Sequence, residues 1–213
     1  MKQLNTYITE YIIKKKLNTP IDSEDHYNYC PKTKSELIEI IKNLLNDNQT
    51  DLNIIDVSKI TDMSELFDKI NQSIEISNID ISRWDVSNVT NMRYMFFGCS
   101  KFNCDLSSWN VSNVEDITGM FINCVNLNSD FSNWNMHNVT NMKYMFYGCK
   151  KFEGKGLENW DVSNVKYMDK MFSYCVNFTG KGLENWNIRN VTRMNDIFEK
   201  CTSLKNKPSW YKE

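Results

Sequence analysis

The chain has 213 residues, 25 of them basic and 27 acidic, for a formal net charge of −2. That length suits one domain, or one domain with a small extension, and is enough to bury a core. Near-neutral charge argues against a general nucleic-acid or acidic-membrane binder, while 27 aromatics (6 Trp, 10 Tyr, 11 Phe) argue against disorder, and the absence of alanine argues against a helical bundle.

Residues 1–17 read as an amphipathic helix, with Leu4, Tyr7, Ile8, Tyr11 and Ile12 on one face and Lys14, Lys15 and Lys16 at its C-terminal end. It serves either as a cap or loose tail, or as a handle for a partner or an assembly. The start lacks a secretory h-region, and no window approaches 18 apolar residues, so a cytoplasmic or virion-associated place without a membrane span is expected. Residues 18–32 read as a linker bounded by Pro20 and Pro31. Residues 33–55 hold a second helix and the entry to a repeat region. Thr33 to Glu36 fits a capping box, and Leu37, Ile40, Ile41, Leu44 and Leu45 form an apolar stripe. This helix is expected to cover the first repeat unit as an N-terminal cap.

Residues 56–210 are the repeat. Trp84, Trp109, Trp134, Trp160, Trp186 and Trp210 succeed one another at steps of 25, 25, 26, 26 and 24 residues. Cys99, Cys124, Cys149, Cys175 and Cys201 keep the same step, as do Phe96, Phe121, Phe146, Phe172 and Phe198. A period of this size outranks local propensity. Four whole units occupy 85–109, 110–134, 135–160 and 161–186. A degenerate first unit runs from Asp56 to Trp84 and a truncated last unit from Asn187 to about Trp210, leaving 211–213 as a tail. Atypical end units are what a stack with wet outer faces needs. Within a unit, Val89, Met92, Met95, Phe96 and Cys99 fall at helical spacing, whereas Phe102, Leu106, Trp109 and Val111 look extended. The spacing predicts one short helix and one short strand per unit, the strands aligning as a parallel sheet.

The pattern Trp-Asp-Val-Ser-Asn-Val-Thr-Asn-Met-x-x-Met-Phe-x-x-Cys-x-x-Phe-Asn, recurring over about 54–210, resembles the BspA-like leucine-rich-repeat family of surface proteins of bacteria and mycoplasmas, with relatives in phages and large viruses. The resemblance implies an α/β repeat, a right-handed leucine-rich-repeat-like solenoid used for binding, with a parallel strand ladder, short helices and the N-terminal helical cap. It brings no catalytic residues to carry over.

The chemistry-bearing columns read mostly as structure. Five equivalent thiols 25 or so residues apart point the same way in successive layers, which suits core packing rather than zinc or a disulfide framework. Asn88, Asn113, Asn138, Asn164 and Asn190 suit a structural Asn column, since the glycosylation pattern fails at Asn164. Asp85, Asp105, Asp130 and Asp161 suit Asx turns and lack the oxygen density of a calcium site. The Trp column is expected to edge the core and present its N–H groups to a partner. The insertions Gly154 to Asn159 and Gly180 to Asn185 read as a bulge with Lys and Glu in register. The two histidines, His26 and His137, belong to no catalytic motif. No enzyme, cofactor or metal site is expected.

Two surfaces stand out as candidate interfaces. Arg93, Tyr94 and Phe97 recur as Lys143, Tyr144 and Tyr147 two units on, at the solvent side of a helical turn, and carry the residue types that anchor interfaces. Asn103, Asp105, Ser107, Asn128, Asp130 and Ser132 are the candidates for the strand side. The expected function is non-catalytic recognition of a protein, or of a glycan, with no nucleic-acid partner. The alternative is a structural or assembly component of a phage or virus particle.

Overall fold

The computed structural model describes residues 27–212. The helix expected over 1–17 and most of the 18–32 linker lie outside the described residues. Regular secondary structure is sparse. It consists of α1 (Lys34–Asn46), α2 (Leu66–Asn71) and two single 3₁₀ turns at Leu157–Asn159 and Leu183–Asn185.

Helix α1 forms where the sequence places it. The Thr33 hydroxyl accepts the Glu36 N–H at 3.2 Å, a cap worth about 1 kcal/mol. The Glu36 carboxylate reaches back to the Lys32 N–H at 2.7 Å, one residue further than in a standard capping box. Leu37, Ile40, Ile41 and Leu44 are buried. Lys34 pins the helix onto the first unit: its Nζ lies 2.6 Å from Asp62 Oδ2 and donates to the Ser64 carbonyl at 3.1 Å.

The units lie in register, one hydrogen-bonded to the next. Asp62, Asn91, Asp116, Asn141, Tyr167 and Arg193 pair in sequence through parallel bridges. The expected parallel strand ladder, the helix in each unit, and the leucine-rich-repeat-like solenoid built on them are not found. Among the described residues there is no sheet; every bridge is isolated, and α2 in the first unit is the one α-helix within the repeat.

Backbone geometry gives the reason. In the second unit the N–H groups of Met92, Tyr94, Phe96 and Gly98 donate to the carbonyls of Asp116, Thr118, Met120 and Ile122 in the third. The intervening N–H groups of Met95, Phe97 and Cys99 instead turn back onto the carbonyls of Met92, Tyr94 and Phe96. The segment is therefore a run of linked β-turns. Their third residues have positive φ, 52° at Tyr94 and 71° at Gly98, as type II turns require. The same two columns recur at Gly119 and Asn123, Tyr144 and Gly148, Lys170 and Tyr174, and Asp196 and Lys200. A left-handed residue every fourth position interrupts both a strand and a helix. Only in the first unit, where Glu65 is left-handed (φ 57°) and Lys69 is not, does the chain run on into α2.

The core is a set of columns. Phe67, Phe96, Phe121, Phe146, Phe172 and Phe198 stack with centroids 5.0, 5.4, 5.7, 5.8 and 5.9 Å apart. Trp109, Trp134, Trp160, Trp186 and Trp210 stack nearly parallel at 6.3–6.5 Å. Their N–H groups do not face a partner as expected: Trp84, Trp109, Trp134, Trp160, Trp186 and Trp210 donate to the carbonyls of Leu52, Ile81, Leu106, Phe131, Leu157 and Leu183. A buried indole N–H has to find an acceptor, and the preceding unit supplies it. The cysteines behave as core. The five of the column are buried thiols, and Cys124, Cys149, Cys175 and Cys201 donate to the Phe carbonyl of the preceding unit at 2.9–3.0 Å. Burial pushes the Cys99 and Cys201 thiols up to about 12. The Asn column is structural too, each side-chain amide donating to the carbonyl of Ser58, Ser87, Ser112, His137 or Ser163 one unit back.

Candidate functional site

The linked turns leave one row of side chains outside the core. In each unit the residues just after Met92 or its equivalents alternate between the Met–Phe–Cys core and solvent. Tyr94, Phe97, Tyr144, Tyr147 and Tyr174 lie on that outer side, with Phe97 39% and Tyr174 38% exposed. The positions predicted as the solvent side of a helical turn are thus corners of linked turns. Tyr94 and Phe97 meet edge to face at 6.1 Å, as do Tyr144 and Tyr147, and Tyr147 lies 5.3 Å from Tyr174.

Gly119 explains how the row becomes concave. The third unit places this glycine in the column that holds Tyr94 and Tyr144, and a Cβ there would run into the Tyr94 ring. The Tyr94 ring leans into that gap. Tyr94, Phe97, Ile122 and Tyr144 then line a groove of about 380 Å³, with Glu65 and Asp68 at one end. Burial pushes the Asp68 carboxyl up. Of the six residues chosen from the sequence for this face, Tyr94, Phe97 and Tyr144 reach the groove. Tyr147 continues the aromatic row. Arg93 and Lys143 face carboxylates of the next unit, Arg93 with Asp116 at 3.6 Å and Lys143 with Asp169 at 3.6 Å. Lys143 also sits 4.5 Å from the Tyr167 ring.

Sequence reasoning missed Glu65, Asp68, Ile122 and Tyr174. The signal for Tyr174 was present, since it replaces the glycine of the Gly98 and Gly148 column. Glu65 and Asp68 belong to the degenerate first unit, where the column pattern is weakest.

The second candidate set lies on turns, since no strand forms. Asn103, Asp105, Ser107, Asn128 and Asp130 line one polar hollow of about 340 Å³ together with Ser129 and Lys155. Each carboxylate is first a turn element: Asp105 and Asp130 accept the N–H groups of Ser107 and Ser132 at 2.9 Å. Ser132 also donates its hydroxyl to Asp130 and so supports the hollow from behind. The Asn103 carbonyl oxygen accepts the Asn128 N–H at 2.8 Å, and that of Asn128 accepts the Glu153 N–H at 3.1 Å. Lys155, from the first insertion, closes on Asp130 at 2.8 Å. This hydrogen bond, with those from Ser132, pulls the Asp130 carboxyl down to about 2. The insertions themselves are turns rather than bulges. Gly156 (φ 89°) lies so close to the Phe131–Ser132 backbone that a Cβ would collide with it.

Elsewhere the charges serve structure. Asp169 is buried. Its Oδ1 accepts from the Asn195 backbone and amide groups, while Oδ2 faces Arg193 Nε at 3.4 Å and Lys143. His137 Nδ1 lies 2.9 Å from Asp161 Oδ2, and that contact, with the Ser163 hydrogen bonds, lowers the Asp161 carboxyl to about 2. Among the described residues no group of three or more His, Cys, Asp or Glu side chains is placed to hold a metal ion. None of the described helices is long and apolar enough to cross a membrane.

A family model described as Mycoplasma protein of unknown function, DUF285, matches residues 35–157 and, in a second overlapping match, residues 126–212. No curated protein and no solved structure matches the chain.

Proposed function

The chain belongs to the DUF285 family of Mycoplasma proteins of unknown function, and we propose that it is a non-catalytic binding protein whose aromatic groove docks a protein partner. One observation carries the reading. Five aromatic rings, Tyr94, Phe97, Tyr144, Tyr147 and Tyr174, stand outside the core on the second, fourth and fifth units. Rings on a hydrogen-bonded frame lose little conformational freedom on binding, and Tyr and Phe are the side chains that dominate interface energetics. The resemblance of the repeat to BspA-like surface repeat proteins supports the reading.

The test is a photo-crosslinking phenylalanine analogue placed at Phe97 or Tyr174 in the host cell, with Lys59 as the control position. The expected result is one covalent protein adduct from the two groove positions, absent at Lys59 and lost when Tyr94→Ala and Tyr144→Ala are added. Equal adducts at all three positions, or an adduct that survives the double substitution, would overturn the reading.

A further inference from the structure

We infer that the C-terminal end of the stack is a second binding surface, separate from the aromatic groove, which takes an extended acidic polypeptide segment. The argument begins with the direction of the peptide groups. In the linked-turn segments every unit-to-unit backbone bond runs the same way. Met92, Tyr94, Phe96 and Gly98 donate forward to the third unit, Ile117, Gly119, Phe121 and Asn123 to the fourth, and Met168, Lys170, Phe172 and Tyr174 to the last. The bonds beside this row, from the N–H groups of Thr90, Glu115, Thr140, Lys166 and Thr192, run the opposite way, so it is the linked-turn row alone that has a donor end and an acceptor end.

The two ends are treated differently. At the acceptor end α1 closes the stack. Lys34 Nζ donates to the Ser64 carbonyl, the place in the column where the Arg93, Thr118, Lys143, Asp169 and Asn195 carbonyls receive an N–H from the unit before. A cation thus meets the carbonyl end. At the donor end the N–H groups of Met194, Asp196, Phe198 and Lys200 have no acceptor among the described residues. The core columns thin out at the same place. Ile188, Val191, Met194 and Leu204 are partly exposed, whereas Val86, Val89, Met92 and Phe102 are buried. Trp210 and Tyr211 cover the Phe198 ring, Tyr211 edge to face at 5.4 Å; of the row itself Phe198 is buried, Met194 half-buried, and Asp196 and Lys200 exposed.

Charge points to the occupant. Residues 187–212 hold six basic side chains against two acidic ones, in a chain whose net charge is −2. Asp196 is paired with Lys170, and Glu199 accepts from the Tyr174 hydroxyl, whereas Lys200, Lys205 and Lys212 are exposed. A row of backbone donors that includes Lys200, in a basic last unit, selects a segment that offers alternate carbonyls to the row and carboxylates to the basic side chains of that unit. The binding mode is edge addition, in which main-chain bonds supply affinity and side chains supply selectivity. A second copy does not fit end to end, because its own acceptor end is already closed by α1 and Lys34.

The test is NMR titration of the ¹⁵N-labelled full chain with a blocked peptide alternating Asp and Val, against the same peptide with Asn or Lys in place of Asp. The expected result is shifts and slowed hydrogen exchange centred on the Met194, Asp196, Phe198 and Lys200 amides. The Asn peptide should bind about tenfold more weakly, and the Lys peptide more weakly still. A K200E/K205E variant, with an otherwise unchanged spectrum, should lose about tenfold in affinity. Three results would each overturn the inference: no binding at millimolar peptide, equal binding of the Asn peptide, or shifts centred on Tyr94 and Tyr144. A fourth is a free protein that sediments as a dimer with the four amides already protected, which would show that a second copy covers the end.

Discussion

Replacing Trp134 by Phe tests whether the columns hold the units together by satisfying buried carbonyls. The Trp134 indole is 2% exposed, donates to the Leu106 carbonyl at 2.9 Å and lies between Trp109 and Trp160. Phenylalanine keeps an aromatic ring but removes the donor. The Leu106 carbonyl keeps the Trp109 backbone N–H at 3.1 Å but loses its second donor, which costs about 1 kcal/mol. The smaller ring also leaves roughly 40 Å³ unfilled, at a cost of about 1 kcal/mol. The expected destabilisation is about 2 kcal/mol. Trp210 is the internal control, because it makes the same bond, to the Leu183 carbonyl at 2.7 Å, but is partly exposed and stacks on Trp186 alone. Water can replace its N–H, so Trp210→Phe should cost only about 1 kcal/mol. Urea unfolding followed by far-UV circular dichroism measures both, with the slope of each transition compared with that of the parent. If the two substitutions cost the same, or if Trp134→Phe costs under about 1 kcal/mol, the carbonyl-satisfaction argument fails.

Three further outcomes are expected. With a thiol reagent under native conditions, the exposed Cys30 should react first and the half-buried Cys104 slowly, while the five column cysteines react only in denaturant; mass spectrometry counts the adducts. Gly156→Ala meets both a positive φ and the Phe131–Ser132 backbone, and should cost more than about 3 kcal/mol or abolish folding; Gly98→Ala meets only the φ of 71° and should cost about 1 kcal/mol, both read from thermal unfolding. Asp130 and Asp161 have folded-state pKa values depressed from the ordinary 3.8 to about 2, so the stability they supply is complete above that ordinary value and is lost as pH falls from it through about 2. Asp161 is exposed and Asp130 half-buried at the surface, so solvent screening should keep the loss below about 1 kcal/mol in total, and Lys155→Met should shrink it in an acid titration of the melting temperature.

Much of the architecture was legible in the residues. The capping helix α1 was visible in Thr33, Glu36 and the Leu37–Ile40–Ile41–Leu44 stripe, because a helix advertises itself through one cap and one period. The Cys and Asn columns were legible because identical residues at a fixed step can only meet their own kind in the next unit. The local conformation was misread for a definable reason. Met92, Met95, Phe96 and Cys99 lie three, four and seven residues apart, the spacing of an amphipathic helix. Linked turns that close onto the third residue back put core side chains at the same intervals. The residues that separate the two cases are those with positive φ, and that column holds Glu65, Tyr94, Gly119, Tyr144, Lys170 and Asp196. Only one of them is glycine, so no residue type marks the turn.

The candidate surfaces divide along the same line. Tyr94, Phe97 and Tyr144 were identifiable as outward aromatics from their place in the unit, and Asp105 and Asp130 as Asx-turn residues of neighbouring units, whereas Asn103 and Asn128 were expected on a strand that does not form. That the first three wall a groove depends on Gly119 lying beneath the Tyr94 ring and on Glu65 and Asp68 being carried in by α2.

By itself the sequence determined the number of units, their step, the identity of the core columns and the cap at the N-terminal end, because each comes from repetition or from a local signal. Tertiary structure alone decided that the linked-turn segments join through forward-pointing N–H groups rather than strands. It also turned the Trp N–H groups inward and left the N–H groups of Met194, Asp196, Phe198 and Lys200 without acceptors among the described residues. Those outcomes depend on what the neighbouring unit offers to each backbone group, and a sequence read along one chain does not contain its neighbours.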